Sequence, residues 1–371
     1  MTGIRALDRA DLPAVCALYE QVMRDGTHGA PDPRLVAYFE RLFLDDPWFD
    51  PELPSLVHEA ADGAIVGFIG SSTRRMAFDG RPLRMVCSSN LVVHPDWRPR
   101  GVGALLMRRL LGGPQDLTIA DRANDSSRVL WLRLGGQELV HGSVGWYRIL
   151  RPGSLVGSLV GRNGSGTGTL VRRSLGAGLR AAALPVDALA RRATSLAPDV
   201  PAGTLEPLTA DVLLDEVADL GSRVRLHPAY DAEFLRWLFA ELDGLRHLGT
   251  VTARRVRDDR GRVQGWFLYL LPQSGVAQVL QVGVTGDADL VLDHLVRQAW
   301  IEGAAAVLGR LEPALAGVLS RRGIVLRRTA RALVHARAPE LLAVLGSPQS
   351  LLSHLDGEWL VSHARRLQPR S

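Results

Sequence analysis

The segment Leu91–Leu106, LVVHPDWRPRGVGALL, combines features that together can hold an anion. An apolar run ends at Pro95, a glycine-containing turn follows, and an amphipathic helix starts within that turn. Gly101 and Gly103 have no Cβ, so backbone amides can approach a ligand closely. These amides fall at a helix N-terminus, where unpaired N–H groups and the helix dipole favour negative charge. Arg98 and Arg100 add positive charge, and the arrangement suits a pyrophosphate. A dinucleotide fingerprint would need a third glycine and an acidic residue about 20 residues on. Only two glycines fit, and the chain opens with helical periodicity.

The same stretch resembles motif A of the GNAT acyl-CoA N-acyltransferases. Their pattern is Gln or Arg, two variable residues, Gly, one variable residue, then Gly or Ala. Arg98, Gly101 and Gly103 stand at its fixed positions, and Val93-His94-Pro95 is similar to the family's approach to the loop. Asn124 and the following helix, which ends at Leu134-Gly135-Gly136, resemble motif B. The resemblance covers residues 4 to 150 and implies acetyl-CoA, or a close acyl-CoA, as donor. The backbone of Leu91, Val92 and Val93 would pair with the pantetheine arm where that strand splays from the one at Asp116–Ala120. Amides from Arg100 through Gly101, Val102, Gly103 and Ala104 would hold the pyrophosphate, with Arg98 beside them. Asn124 would touch the donor near its thiol, although a helix N-cap is the competing role for an Asn before Asp125.

Acyl transfer to an amine needs a proton acceptor, because deprotonating an alkylammonium of pKa near 10 costs about 4 kcal/mol at pH 7. Some family members carry a glutamate on the motif-A strand. Here that position is Cys87, followed by Ser88, Ser89 and Asn90. Small polar residues in the middle of a strand could line a wet acceptor site or a water relay, or hydrogen-bond within the core. Many members protonate the leaving thiolate with a motif-B tyrosine. Trp131 stands there instead, and a thiol of pKa about 8.5 is already a fair leaving group. Tyr147 is a substitute acid, with a half-buried strand aromatic as its plainer role. His58, Glu59, His28 and Asp32 are further titratable candidates.

These groups need a scaffold. Apolar residues at helical spacing predict helices over residues 10–25, with Asp11 as cap, and 33–44. Strands are expected at Ser55–Ala60 and Ala64–Ser71 around an Asp62-Gly63 turn, then at Leu83–Val93. A helix Gly103–Leu111, a strand Asp116–Ala120, a helix Ser126–Leu134 and a strand Leu139–Leu150 complete a mixed α/β unit over residues 1–152. Residues 153–204 read as a linker, Gly/Ser-rich at first and then helical between Leu170 and Leu196.

Residues 205–371 echo the first element order: helices 210–220 and 232–241, strands around Asp258–Gly261, then Ala277–Val284. A helix 290–304, a strand Ala306–Leu311, a short helix ending at Gly323 and a strand Ile324–Ala336 follow. The fold class is therefore α/β, an α+β mixed-sheet type. It has two GNAT-like domains in tandem, each a mostly antiparallel sheet flanked by helices. At the motif-A position the second half reads VGVTGDADL, and Asp287 and Asp289 would repel a pyrophosphate. This half is read as a degenerate partner that shapes the acceptor site, with Asp231, Trp237, Arg331 and Asp356 as residues that could face it.

Composition narrows the partners. All 44 basic side chains are arginine, interleaved with 39 acids, and the net charge is only +5. Scattered arginines argue against nucleic acid as a partner. Two cysteines, Cys16 and Cys87, cannot build a metal cluster or a disulfide framework. No apolar stretch approaches the roughly 20 residues of a membrane span. The reading is a cytoplasmic enzyme without metal, acting on acyl-CoA and a small amine, amino sugar or amino acid derivative. A Fem-like aminoacyltransferase and a CoA-binding sensor are the alternatives.

Overall fold

The Asp79-Gly80 pair sits between two long apolar-rich runs and turns the chain sharply, both residues having left-handed backbone angles. Such pairs favour tight hairpins. It joins β3 (Ile65–Phe78) to β4 (Arg81–Val93), so β3 runs well past the Ser71 expected from sequence. This computed structural model describes residues 3–23, 29–152 and 197–366. The linker readings at 153–196 and His28 lie outside those residues.

The first half begins with β1 (Gly3–Ala6). A 3₁₀ turn capped by Asp8, rather than by Asp11, then leads into α1 (Leu12–Met23). Asp32 caps α2 (Pro33–Phe43), and β2 (Leu56–Glu59) precedes β3 and β4. After them come α3 (Val102–Leu111), β5 (Leu117–Ala123), α4 (Asp125–Arg133), β6 (Gln137–Glu138) and β7 (Val144–Ile149). The single strand expected over 139–150 is thus two strands with a 3₁₀ turn between them.

The second half repeats the order. It runs β8 (Thr204–Pro207), α5 (Ala210–Gly221), β9 (Leu226–Pro228) and α6 (Ala232–Gly244). Then come β10 (Gly249–Arg257), β11 (Val263–Pro272), β12 (Val276–Val284), α7 (Ala288–Ile301) and β13 (Ala306–Arg310). The short α8 (Ala316–Leu319), β14 (Val325–Arg328), β15 (Arg331–Ala336) and α9 (Pro339–Leu345) close the regular elements.

Two mixed sheets result, and each borrows from the other half of the chain. The first runs β1-β2-β3-β4-β5-β15-β6, with β9 added on β3; the second runs β8-β10-β11-β12-β13-β7-β14. In each, one pair is parallel, β4 with β5 and β12 with β13. The remaining pairings are antiparallel. β7 and β15 are exchanged, so the strand expected over 324–336 is divided between two sheets. Period-2 patterning says which face of a strand is buried, but it does not name the strand's partner. The exchange is therefore invisible to local reading.

Helices α1, α2, α5 and α6 share one apolar cluster with residues 351–361, including Phe39, Phe68, Phe234, Trp266 and Trp359. α3 packs Val102, Leu106 and Leu110 on the opposite face of the first sheet. α3 therefore lies on the face of the first sheet away from α1 and α2.

Candidate active site at the splay of β4 and β5

The parallel pairing of β4 with β5 covers only Met85–Leu117, Val86–Thr118 and Cys87–Ile119. Beyond it the strands part. Three residues past Cys87, Asn90 takes a left-handed φ of 49°. Along β4 and β3, Val92 opposes Phe68 while Ser89 opposes Gly70, so Asn90 and Leu91 together face Ile69. This is a β-bulge, which bends the strand and frees backbone groups from the ladder. Ser89 Oγ and Asn90 Nδ2 are buried there without a hydrogen-bond partner. Orphaned polar atoms at a strand opening are what a polar ligand arm such as pantetheine would satisfy.

Just beyond the bulge, Gly101 has φ 73° and is the N-cap of α3 without offering any side chain to it. A Cβ there would meet nothing within 4 Å, so space is open above the turn. The first-turn amides of Val102, Gly103 and Ala104 have no acceptor within the helix itself. Gly103 faces Val93, Leu130 and Leu91, which lie 3.5–3.9 Å from where its Cβ would be. Arg98 Nε donates to Val93 O at 3.2 Å, and Arg100 stacks on Trp97 with its guanidinium 4.2 Å from the ring centre. These residues fit a phosphorylated thioester laid from α3 across the splay.

The other sequence candidates scatter. Asn124 Oδ1 accepts from Ser127 N at 2.8 Å, so the residue caps α4. Cys87 is 1% exposed, and burial, with the Glu358 carboxylate next, pushes its thiol up. It sits at the splay as a neutral group and not as a nucleophile. Trp131 is 1% exposed in the core under α3. Tyr147 is on β7 and pairs with Leu308 and Val325 in the second sheet. The strand beside β5 is β15, because of the strand exchange. Glu59 pairs with Arg5, Asp32 caps α2, and Asp231 caps α6 while accepting from Trp48 Nε1. Arg331 pairs with Asp125.

Sequence reasoning missed most of a polar cluster that the C-terminal segment brings to the splay. A Ser353–Asp356 capping box shapes its 3₁₀ turn. Tyr230 OH donates to Asp356, and Gln281 bridges Tyr230, Ser353 and Trp266. His354 Nδ1 lies 3.2 Å from Asp121 Oδ2, and Arg310 Nη1 lies 3.8 Å from the same oxygen. Gly357 is required, since a Cβ would fall 2.2 Å from Asp121 Oδ2. That close approach lets Glu358 Oε1 accept from the amides of Asp121 and Arg122 at 2.9 and 3.2 Å. Burial opposes ionisation of Asp121, but His354 and Arg310 overcome it and hold the carboxyl below its usual range. Burial and the Asp121 charge push Glu358 up to about 8. The S-x-x-D pattern at Ser353 was the only local signal for this segment.

The second sheet has the matching parallel pair, Val276–Ala306 to Gln278–Leu308, and α7 starts where α3 does in the first. There Asp287 caps the helix, accepting from the amides of Asp289 and Leu290. Asp289 is paired with Arg321 and Arg322. Trp266 lies on Gly283, and Trp146 lies on Gly309.

The parallel pair of the first mixed sheet thus opens beside a glycine-turned helix N-terminus. Residues 15–150 match the model of the acetyltransferase (GNAT) family. No protein of curated function matches the sequence. The fold is similar to that of a GCN5-related N-acetyltransferase from Anabaena variabilis ATCC 29413. That match has TM-score 0.57 and 10% identity, over 91% of this chain and 73% of that one. A GCN5-related N-acetyltransferase from Kribbella flavida gives TM-score 0.52 and 15% identity, over 90% of this chain and 70% of that one. A conserved protein of unknown function from Enterococcus faecalis V583 gives 0.56 and 10%, over 91% and 72%. Among the described residues no helix is long and apolar enough to cross a membrane, and no side-chain group has the make-up of a metal site.

Proposed function

We propose that the protein is an acyl-CoA N-acyltransferase whose acceptor is the amine of a small molecule, amino sugar or amino acid derivative. The observation that carries the reading is the open, uncapped N-terminus of α3 beside the β4 bulge. Amides of Gly101 to Ala104, with Arg98 and Arg100, hold the pyrophosphate. The backbone of Leu91–Val93 holds the pantetheine arm, and Ser89 and Asn90 offer polar atoms near the thioester. The amine attacks the thioester carbonyl, the C–N bond forms, and the C–S bond breaks to release CoA thiol.

Residues 1–152 act as the donor-binding unit and 205–371 as a degenerate partner. The Asp287 carboxylate on the α7 amides supports the second assignment, because an anion already occupies the place of a phosphate. Acetyl-CoA is the donor we expect, and the cytoplasm its compartment. Steady-state release of CoA thiol from acetyl-CoA with a panel of primary amines tests the reading. Turnover with at least one amine is expected. Bound acetyl-CoA without turnover for any of them would favour a sensor.

A further inference from the structure

Transfer to an amine has a proton to dispose of, and the groups around the splay differ sharply in their ability to take it. Cys87 is sealed in the core, Tyr147 belongs to the other sheet, and Glu59 on β2 is committed to Arg5 on β1. Asp121 is 4% exposed and is engaged by His354, Arg310 and the amide of Glu358. Glu358 is different. It is only partly buried. Its Oε1 is fixed by two amides that lie just past Ile119, the last residue of β5 paired with β4. No residue that the structure describes engages its Oε2.

We propose that Glu358, carried into the splay by the C-terminal segment, is the proton acceptor for the attacking amine. This rests on the acyltransferase reading above. The acceptor ammonium gives one proton to Glu358 Oε2 and becomes a nucleophile. Nitrogen then adds to the thioester carbonyl. On collapse the C–S pair leaves with sulfur, which takes the second nitrogen proton, and Glu358 returns the first to solvent. The products are amide, CoA thiol and one proton.

The surroundings suit that role. Asp121 and Arg122 on β5, His354 and Asp356 on the same segment, Arg310 on β13, Arg74 on β3 and Cys87 on β4 are the titratable or charged groups facing the site. Burial and Asp121 raise Glu358 to about 8, which brings its basicity closer to that of an amine. The rate should then climb with pH as Glu358 ionises and level off above that region.

The test uses the full chain, acetyl-CoA and the primary-amine panel. Glu358→Gln keeps the oxygen that accepts from both amides, so acetyl-CoA affinity and melting temperature should stay near those of the parent. Its kcat should fall by about 10²-fold or more, the usual range for a lost general base, and the rise in rate toward pH 8 should vanish. Glu358→Asp should keep that rise at a lower rate, and it serves if the Gln variant does not fold. An unchanged kcat and pH profile in either variant would overturn the assignment while leaving the acyltransferase reading intact. So would a change in KM alone. A parent protein that binds acetyl-CoA yet acylates no amine would overturn both.

Discussion

Two helix N-termini occupy matching places in the two halves, and opposite chemistry has been built at each. At α3 the cap is a glycine in a left-handed conformation that contributes no side chain and leaves open space. At α7 the cap is Asp287, whose carboxylate accepts from two first-turn amides, and the neighbouring Asp289 is held by Arg321 and Arg322. The same backbone device therefore has no side-chain cap in one half and is internally satisfied in the other. A helix start binds a phosphate only if the protein has not already supplied the anion.

The largest test of this contrast is Gly103→Glu. Gly103 lies inside α3 with ordinary helical geometry, and a Cβ there would make only normal contacts of 3.5–3.9 Å. The fold should survive, as circular dichroism would report. The carboxylate would extend over Val93 and Leu91 toward the proposed phosphate path, so acetyl-CoA binding by titration calorimetry should fall by more than 100-fold. The parent should bind one acyl-CoA per chain. A stoichiometry near two would break the comparison, because α7 would then accept a phosphate despite Asp287.

How much of this was legible in the sequence follows from the range of each interaction. The α3 loop was readable because the strand end, Gly101, Gly103 and the helix lie within a few residues of one another. So was the acidic character of the matching helix start, at Asp287 and Asp289. The element order of both halves could be read from periodicity, and this suggested the repeat. The exchange of β7 and β15 could not be read, since pairings such as Trp146 with Gly309 join residues far apart in the chain. Tyr147 accordingly lies in the second sheet, opposite Leu308 and Val325. Glu358 was missed for the same reason: its partners Asp121 and Arg122 are more than two hundred residues away in sequence. Asp356 is legible only as a polar residue, because its burial against Tyr230 joins residues 126 positions apart in the chain.

A smaller pair of effects sharpens the comparison at the caps themselves. Asp287→Ala should cost about 1 kcal/mol of stability through loss of the cap, without creating a second acyl-CoA site, because Trp266 and Trp146 still fill the matching region. Gly101→Ala should cost a similar amount, about 1 kcal/mol, for a different reason. Its φ of 73° is unfavourable for any residue with a Cβ. Since that Cβ would meet nothing, acetyl-CoA affinity should change little. Denaturant melts with and without acetyl-CoA separate the two. A second binding event in Asp287→Ala would show that the carboxylate alone had kept the ligand out.

The smallest expected effect concerns Asn124, which has two assignable jobs. Its Oδ1 caps α4 by accepting from Ser127 N. Its amide nitrogen is left for the second job, meeting the donor near the thiol, which the motif-B resemblance implies. Alanine removes both functions, so Asn124→Ala should lose about 1 kcal/mol of stability together with some affinity. Serine separates them, because its hydroxyl is also a good N-cap acceptor but cannot place a donor where the carboxamide nitrogen was. Asn124→Ser should therefore recover the melting behaviour of the parent. It should still bind acetyl-CoA about fivefold more weakly, the scale of one neutral hydrogen bond worth about 1 kcal/mol. Full recovery of both properties in the serine variant would leave Asn124 a cap alone. In that case the donor's thiol end would be held by the β4 bulge and not by α4.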